Sequence, residues 1–151
     1  MDEYFMRLAI EEAVKAYNIE EVPVGAIVVK DDAIISKAFN MRETLNDATA
    51  HAEVLAVQRA CTSLSSWRLL DCTLYVTVEP CPMCAGALVN ARVKRIVIVY
   101  GISDLKGGAC GSIINIANNP SLNHRIEITG GILEDECKKL MQAFFKKRRN
   151  K

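Results

Sequence analysis

An α/β fold, with a sheet of about five strands covered by helices on both faces, is what this sequence predicts. Three observations predict it. Short β-branched runs alternate with stretches of helical periodicity along the whole chain. One of those runs, residues 95–101, is mostly apolar, as expected of a strand covered on both faces. The chain has 151 residues, 50% hydrophobic and 25% charged, which suits one domain over 1–151 with a sizeable core and leaves no room for two. It carries no internal repeat, low-complexity segment or linker.

Taken in order, Phe5, Leu8, Ala9, Ala13 and Ala16 recur at helical spacing, and Met6, Ile10, Val14 and Tyr17 widen the stripe. Residues 19–23 end that helix. Val24-Gly25-Ala26-Ile27-Val28-Val29, the turn Asp31-Asp32 and Ala33-Ile34-Ile35 read as a hairpin. Residues 40–49 are polar and irregular, hence a loop. Residues 50–63 are helical, with Val54, Leu55, Val57 and Ala60 apolar. Residues 73–78 form a strand, residues 81–90 a short helix, and residues 95–101 another strand. Residues 104–112 are glycine-rich and loop-like. Ile126 and Ile128 mark a short alternating strand, and residues 133–149 a final helix anchored by Leu140, Phe144 and Phe145.

The net charge of +1 conceals an asymmetry. Residues 138–151 hold seven basic groups and no acid, so the first 137 residues keep 12 of the 19 basic groups against all 18 acids. A basic tail on an acidic body can meet phosphates, or it can complement the negative end of a helix; the charges alone fit both. No apolar run approaches the roughly 20 residues a spanning helix needs. The start, Met1-Asp2-Glu3, carries no secretory pattern. A soluble, cytoplasmic protein without membrane attachment is expected. In that reducing compartment six cysteines favour metal binding or free thiols over disulfides. Cys61, Cys72, Cys110 and Cys137 are scattered singly and read as small buried hydrophobes; Trp67 is assigned to core or interface.

The chemistry concentrates in His51-Ala52-Glu53 and Pro80-Cys81-Pro82-Met83-Cys84. One imidazole and two thiols bind zinc tightly, and three protein ligands leave a position open for water. Cys81 and Cys84, at i and i+3, share a helix face, and the positive end of that helix favours thiolates. Pro80 and Pro82 are tolerated only in a first turn, so they pin the helix start at the metal. Two helix N-termini should therefore meet over one zinc, at the C-terminal edge of the sheet. Zinc lowers the pKa of bound water from 15.7 to roughly 7. Glu53 is the expected proton shuttle, not a ligand. A closed site needs a fourth ligand, and neither His124 nor the four lone cysteines has a second short ligand spacing. Sulfur ligands favour zinc over magnesium or manganese.

At these residues the chain resembles the cytidine/deoxycytidylate deaminase superfamily, whose signature is H-x-E followed by P-C-x-x-C, and within it the bacterial tRNA-specific adenosine deaminases. The likeness extends through Glu21-Val22-Pro23-Val24-Gly25-Ala26, Thr73-Leu74-Tyr75-Val76-Thr77-Val78-Glu79, the stretch from Asp104 to Ser112, Asn123-His124-Arg125 and Phe144-Phe145-Lys146-Lys147-Arg148-Arg149. The resemblance implies a three-layer α/β/α sandwich with a mixed five-stranded sheet. It implies hydrolytic deamination of adenosine to inosine at the wobble position of a tRNA anticodon, with one zinc per subunit and a homodimer binding the anticodon stem-loop. It further implies that Asn40 hydrogen-bonds the flipped base, that Asp104 and Lys106 face the nucleic acid, that Asn123 and His124 contact nucleotide, and that Phe145 and Arg149 pack beside the anticodon loop. Asn40 and Asp104 have a plainer reading as turn formers. A free-purine deaminase such as a guanine deaminase is the alternative on the same fold, and a catalytically silent RNA-binding module a third.

Overall fold

The computed structural model describes residues 1–100 and 108–150. The first amphipathic stretch folds as α1, Asp2–Asn18, and buries Phe5, Met6, Ala9, Ala13 and Ala16. The hairpin pairs β1, Gly25–Lys30, with β2, Ala33–Phe39. Asp31 and Asp32 both take positive φ, 51° and 61°, as a two-residue type I′ turn requires. β2 runs four residues past the apolar Ala33-Ile34-Ile35 because its inward positions are Ser36 and Ala38. Ser36 satisfies its buried hydroxyl on the Ala56 carbonyl at 2.8 Å, so this strand alternates without being apolar.

α2 spans Ala52–Leu64, β3 Cys72–Val76, α3 Pro82–Asn90, β4 Arg95–Ile98, β5 Glu127–Gly130 and α4 Glu134–Arg149. The strands line up as β2-β1-β3-β4-β5. β1 is antiparallel to both β2 and β3, whereas β3, β4 and β5 run parallel, which makes the sheet mixed. Registers such as Ala26↔Val76 put the start of β1 on the same edge as the C-terminal ends of the parallel strands. The strands are shorter than the sequence runs at 73–78 and 95–101; pairing ends at Val76 and Ile98.

Period-two alternation sorts the strands between two faces. Ala26, Val28, Leu74, Val76, Ile96 and Ile98 pack with Ala52, Ala56, Ala60, Ala85 and Leu88 of α2 and α3. Ile27, Val29, Tyr75 and Val97 pack on the other face with Phe5, Met6 and Ala9 of α1 and Cys137 of α4. The result is an α/β/α sandwich. Among the described residues, no helix is long and apolar enough to cross a membrane.

α1 approaches the start of β1 so closely that only glycine fits there. A Cβ on Gly25 would lie 2.0 Å from the Ala9 carbonyl oxygen and 2.5 Å from the Ala13 nitrogen, both backbone atoms. Gly25→Ala should therefore destabilise the protein by about 3 kcal/mol, read as a lower urea midpoint. An unchanged midpoint would mean that α1 is free to slide.

Candidate metal centre and active site

Both metal-binding segments lie where a helix begins. His51 is the N-cap of α2 and Cys81 the N-cap of α3, with Pro82 at the first helical position and Cys84 one turn in. Pro80 stands before the helix, so only one of the two prolines occupies the first turn. The His51 Nδ1 lies 3.7 Å from the Cys81 Sγ and 3.5 Å from the Cys84 Sγ. All three ligand atoms fall within 4.8 Å of one another. Tetrahedral zinc, with Zn–S near 2.3 Å and Zn–N near 2.0 Å, sets its ligands roughly 3.6 Å apart, so the residues fit that ion.

The acid–base chemistry of the thiols agrees. Hydrogen bonding with Cys84, and after it with His51, brings the Cys81 thiol down to about 4 against the opposing effect of burial. Cys84, bonded to Cys81 and buried, is pushed up instead. Two thiols this close hold one proton between them, and a dication among them is what releases it. Among the described residues no fourth His, Cys, Asp or Glu joins the group. The three-ligand arrangement is the open kind, with room for a water.

Glu53 follows His51 by two residues in the first turn of α2 and is 3% exposed. Burial pushes its carboxyl up to about 7. It lines, with His51, Cys81, Asn40, Val22 and Val24, a cavity of about 290 Å³, completed by Arg42, Ala52, Val78 and Glu79. That volume is at the small end for ligand pockets, which run from roughly 300 Å³ upward.

Asn40 is in the cavity wall, but much of its side chain is engaged. Its oxygen accepts the Arg42 N–H at 3.1 Å, and its amide donates to the Val22 carbonyl at 3.2 Å, leaving the second of its two amide hydrogens. Phe145 is 37% exposed and meets the buried ring of Phe144 edge-on. Phe144 in turn meets Tyr17, and Lys147 lies 5.0 Å over the Tyr17 ring, so the basic end of α4 sits beside the end of α1. From there the chain passes through Val22 and Val24 into the cavity. Arg149 closes α4, exposed, in that basic last turn.

Asn123 and His124 are not brought to the cavity. They precede β5, at the edge of the parallel strands opposite the metal centre, separated from it by about 15 Å of β3. The His124 Nε2–H donates to the Val93 carbonyl at 2.7 Å. Asp104 and Lys106 lie outside the described residues. Cys72, Cys110 and Cys137 are buried and Cys61 half-buried, all as free thiols. Trp67 is 55% exposed, with the guanidiniums of Arg68 and Arg92 at 4.5 and 5.7 Å from its ring, so it is no core residue.

Two buried carboxylates beside the cavity were not singled out from the sequence. Glu21 is 1% exposed and accepts the backbone N–H groups of Glu43 at 3.1 Å and Thr44 at 2.7 Å. Glu79 is 6% exposed and grips residues 108–112. The one sequence signal for Glu79 was an acid wedged between an apolar strand and Pro80-Cys81.

The MafB19-like deaminase model matches residues 1–149. The chain is 47% identical over 150 residues to a tRNA-specific adenosine deaminase of Bacillus subtilis, covering 99% of this chain and 92% of that one. It superposes with TM-score 0.84 and 41% identity on a structure from a study of A-to-I editing by tRNA:A34 deaminases at the wobble position of transfer RNA, covering 91% of this chain and 98% of the other. A guanine deaminase from Nitrosomonas europaea superposes with TM-score 0.77 at 26% identity, covering 94% and 83% respectively.

Proposed function

This chain belongs to the deaminase family that contains the tRNA-specific adenosine deaminases, and from that membership we propose that it hydrolyses adenosine to inosine at the wobble position of a tRNA anticodon. The observation that carries the reading is the His51–Cys81–Cys84 triangle with buried Glu53 opening on the same cavity. Those three residues would hold zinc, which when bound supplies the Lewis acidity that makes water nucleophilic near neutral pH. In the overall exchange, water adds its oxygen to C6 of the base, the C6–amine bond breaks and ammonia leaves. Glu53 takes one proton from the attacking water and delivers it to the ring nitrogen, then takes the second from the new C6 hydroxyl and gives it to the departing amine, leaving the C6 carbonyl. A carboxyl raised to about 7 suits both directions of transfer. The family resemblance supplies this assignment of roles, and the geometry is consistent with it.

A cavity of about 290 Å³ suits one extruded base. The remaining amide hydrogen of Asn40 is a donor for that base. Phe145, Arg149 and the neighbouring cations of α4 would meet the stem-loop beside it, and the family resemblance adds Asp104 and Lys106 to the RNA contacts. Asn123 and His124, at the other edge of the parallel strands, would meet nucleotide away from the cavity. We further place the protein in the cytoplasm as a homodimer; Met83 on α3, Ile113 and Ile114 are exposed apolar groups suited to a subunit interface.

Two experiments test the reading. An anticodon stem-loop with adenosine at the wobble position should release ammonia, while free guanine and free adenosine should turn over at least about a hundredfold more slowly in kcat/KM, since binding energy from the distant RNA is unavailable to them. Comparable turnover of guanine would restore the free-purine alternative. Deleting residues 146–151 should weaken stem-loop binding and reduce the slope of log affinity against log salt by at least about 1, with zinc content unchanged. An unaltered slope would return those cations to the helix dipole.

A further inference from the structure

The cavity contains two buried carboxylates, and the proton transfers require only one. Glu79 lines the cavity but its oxygens are taken. One, Oε2, accepts the backbone N–H of Cys110 at 3.0 Å and that of Ser112 at 3.0 Å. The other accepts the Ser112 hydroxyl. Gly111, between the two N–H groups, has φ +134°, a conformation open to glycine, and this lets its neighbours converge on one oxygen. Gly108 lies so close that a Cβ there would fall 2.7 Å from the carboxylate, so the segment is drawn onto Glu79 along its length.

We propose that Glu79 is a positioning residue, a carboxylate clamp that fixes residues 108–112 against the turn bearing Cys81 and so sets how the RNA substrate is held. This rests on the deaminase reading above. The internal shape of the segment does not depend on the clamp: Ile114 N–H bonds the Gly108 carbonyl at 3.3 Å, Gly111 N–H the Ile114 carbonyl at 3.0 Å and Ile116 N–H the Ala109 carbonyl at 2.8 Å. Among the described residues one backbone bond, Ala109 N–H to the Pro80 carbonyl at 3.0 Å, joins its start to the metal-bearing turn. The carboxylate adds three more bonds at the same junction. Glu79 also lines the cavity, so the segment it holds, from Gly108 to Ser112, borders the space in which the base would sit. Glu53 and the metal ligands sit on other bonds, so loosening the clamp should disturb binding and spare chemistry.

The test compares Glu79→Gln and Ser112→Ala with wild type, full-length and zinc-loaded, on the wobble-adenosine stem-loop. Glutamine offers one acceptor oxygen and turns an N–H donor toward other donors. In Glu79→Gln the KM should rise about tenfold or more while kcat stays within about threefold, misplacement of a binding segment being enough for such a loss. Zinc should remain one per chain. Ser112→Ala, at an exposed residue where folding is not at risk, should shift KM in the same direction by less, and the double variant should be no worse than Glu79→Gln alone, since the one bond lost in Ser112→Ala is among the three that Glu79→Gln disturbs. Amide exchange at Cys110 and Ser112, protected in wild type, should accelerate in Glu79→Gln. A fall in kcat at unchanged KM would put Glu79 in the chemistry and overturn the proposal. So would an unchanged KM in Ser112→Ala, whether or not Glu79→Gln folds. Exchange is read without turnover: a wild type inert on the stem-loop would sink the deaminase reading, while the protection pattern alone would still decide the clamp.

Discussion

Glu53→Ala should lower kcat on the stem-loop by at least about 10³ while zinc remains at one per chain. General acid–base catalysis is worth about 10² to 10⁴, and here one carboxyl serves every proton transfer, which places the loss toward the upper end. No neighbour can substitute: the other carboxylate in the cavity, Glu79, is bonded to Cys110 and Ser112. The metal should stay because the ligand group consists of His51, Cys81 and Cys84 without Glu53. Single-turnover rates with metal analysis on the same sample read both quantities. Loss of zinc along with activity would make Glu53 part of the metal shell. Retained turnover would remove it from the mechanism.

Cys84→Ala should abolish stoichiometric zinc and with it all turnover. Cys84 is fully buried, with its sulfur 3.5 Å from the His51 Nδ1, and removing it leaves two ligands, too few for tight binding. The structural cost adds to the chemical one. A metal present at a thousand times its Kd contributes about 4 kcal/mol to the folded state, worth roughly 10 °C of melting temperature in a chain of this size. A chelator should lower the wild-type melting temperature by about that amount and leave Cys84→Ala unmoved. An equal chelator effect on both proteins would mean that the stabilising metal sits elsewhere.

The parts of this site that were legible in the sequence are those in which chemistry fixes residue type and local spacing together. His51 and Glu53 are two apart at one helix start, Cys81 and Cys84 three apart at another, and Pro82 marks where the second helix begins. The hairpin was equally plain, because Asp31-Asp32 has to supply two positive φ angles. What the sequence did not disclose depends on contacts between distant segments. The full length of β2 was hidden because Ser36 meets a backbone carbonyl of α2, a partner visible only after the helix packs. Glu21 and Glu79 bind backbone N–H groups 22 to 33 residues away, which leaves no side-chain pattern to find. The bond from His124 to the Val93 carbonyl was hidden in the same way, since it is the parallel order of β3, β4 and β5 that brings the two together. Trp67 is exposed with two guanidiniums over its ring, contacts that a hydrophobicity count cannot register.

The account stands most directly on where inosine is made. A full-length tRNA transcript with adenosine at the wobble position and at other anticodon-loop positions, incubated with the zinc-loaded protein and sequenced for inosine, tests reaction, substrate and site in one measurement. Inosine should appear at the wobble adenosine alone and be absent with Glu53→Ala. No inosine from protein shown to hold its zinc, or inosine spread over every loop adenosine, would contradict wobble deamination.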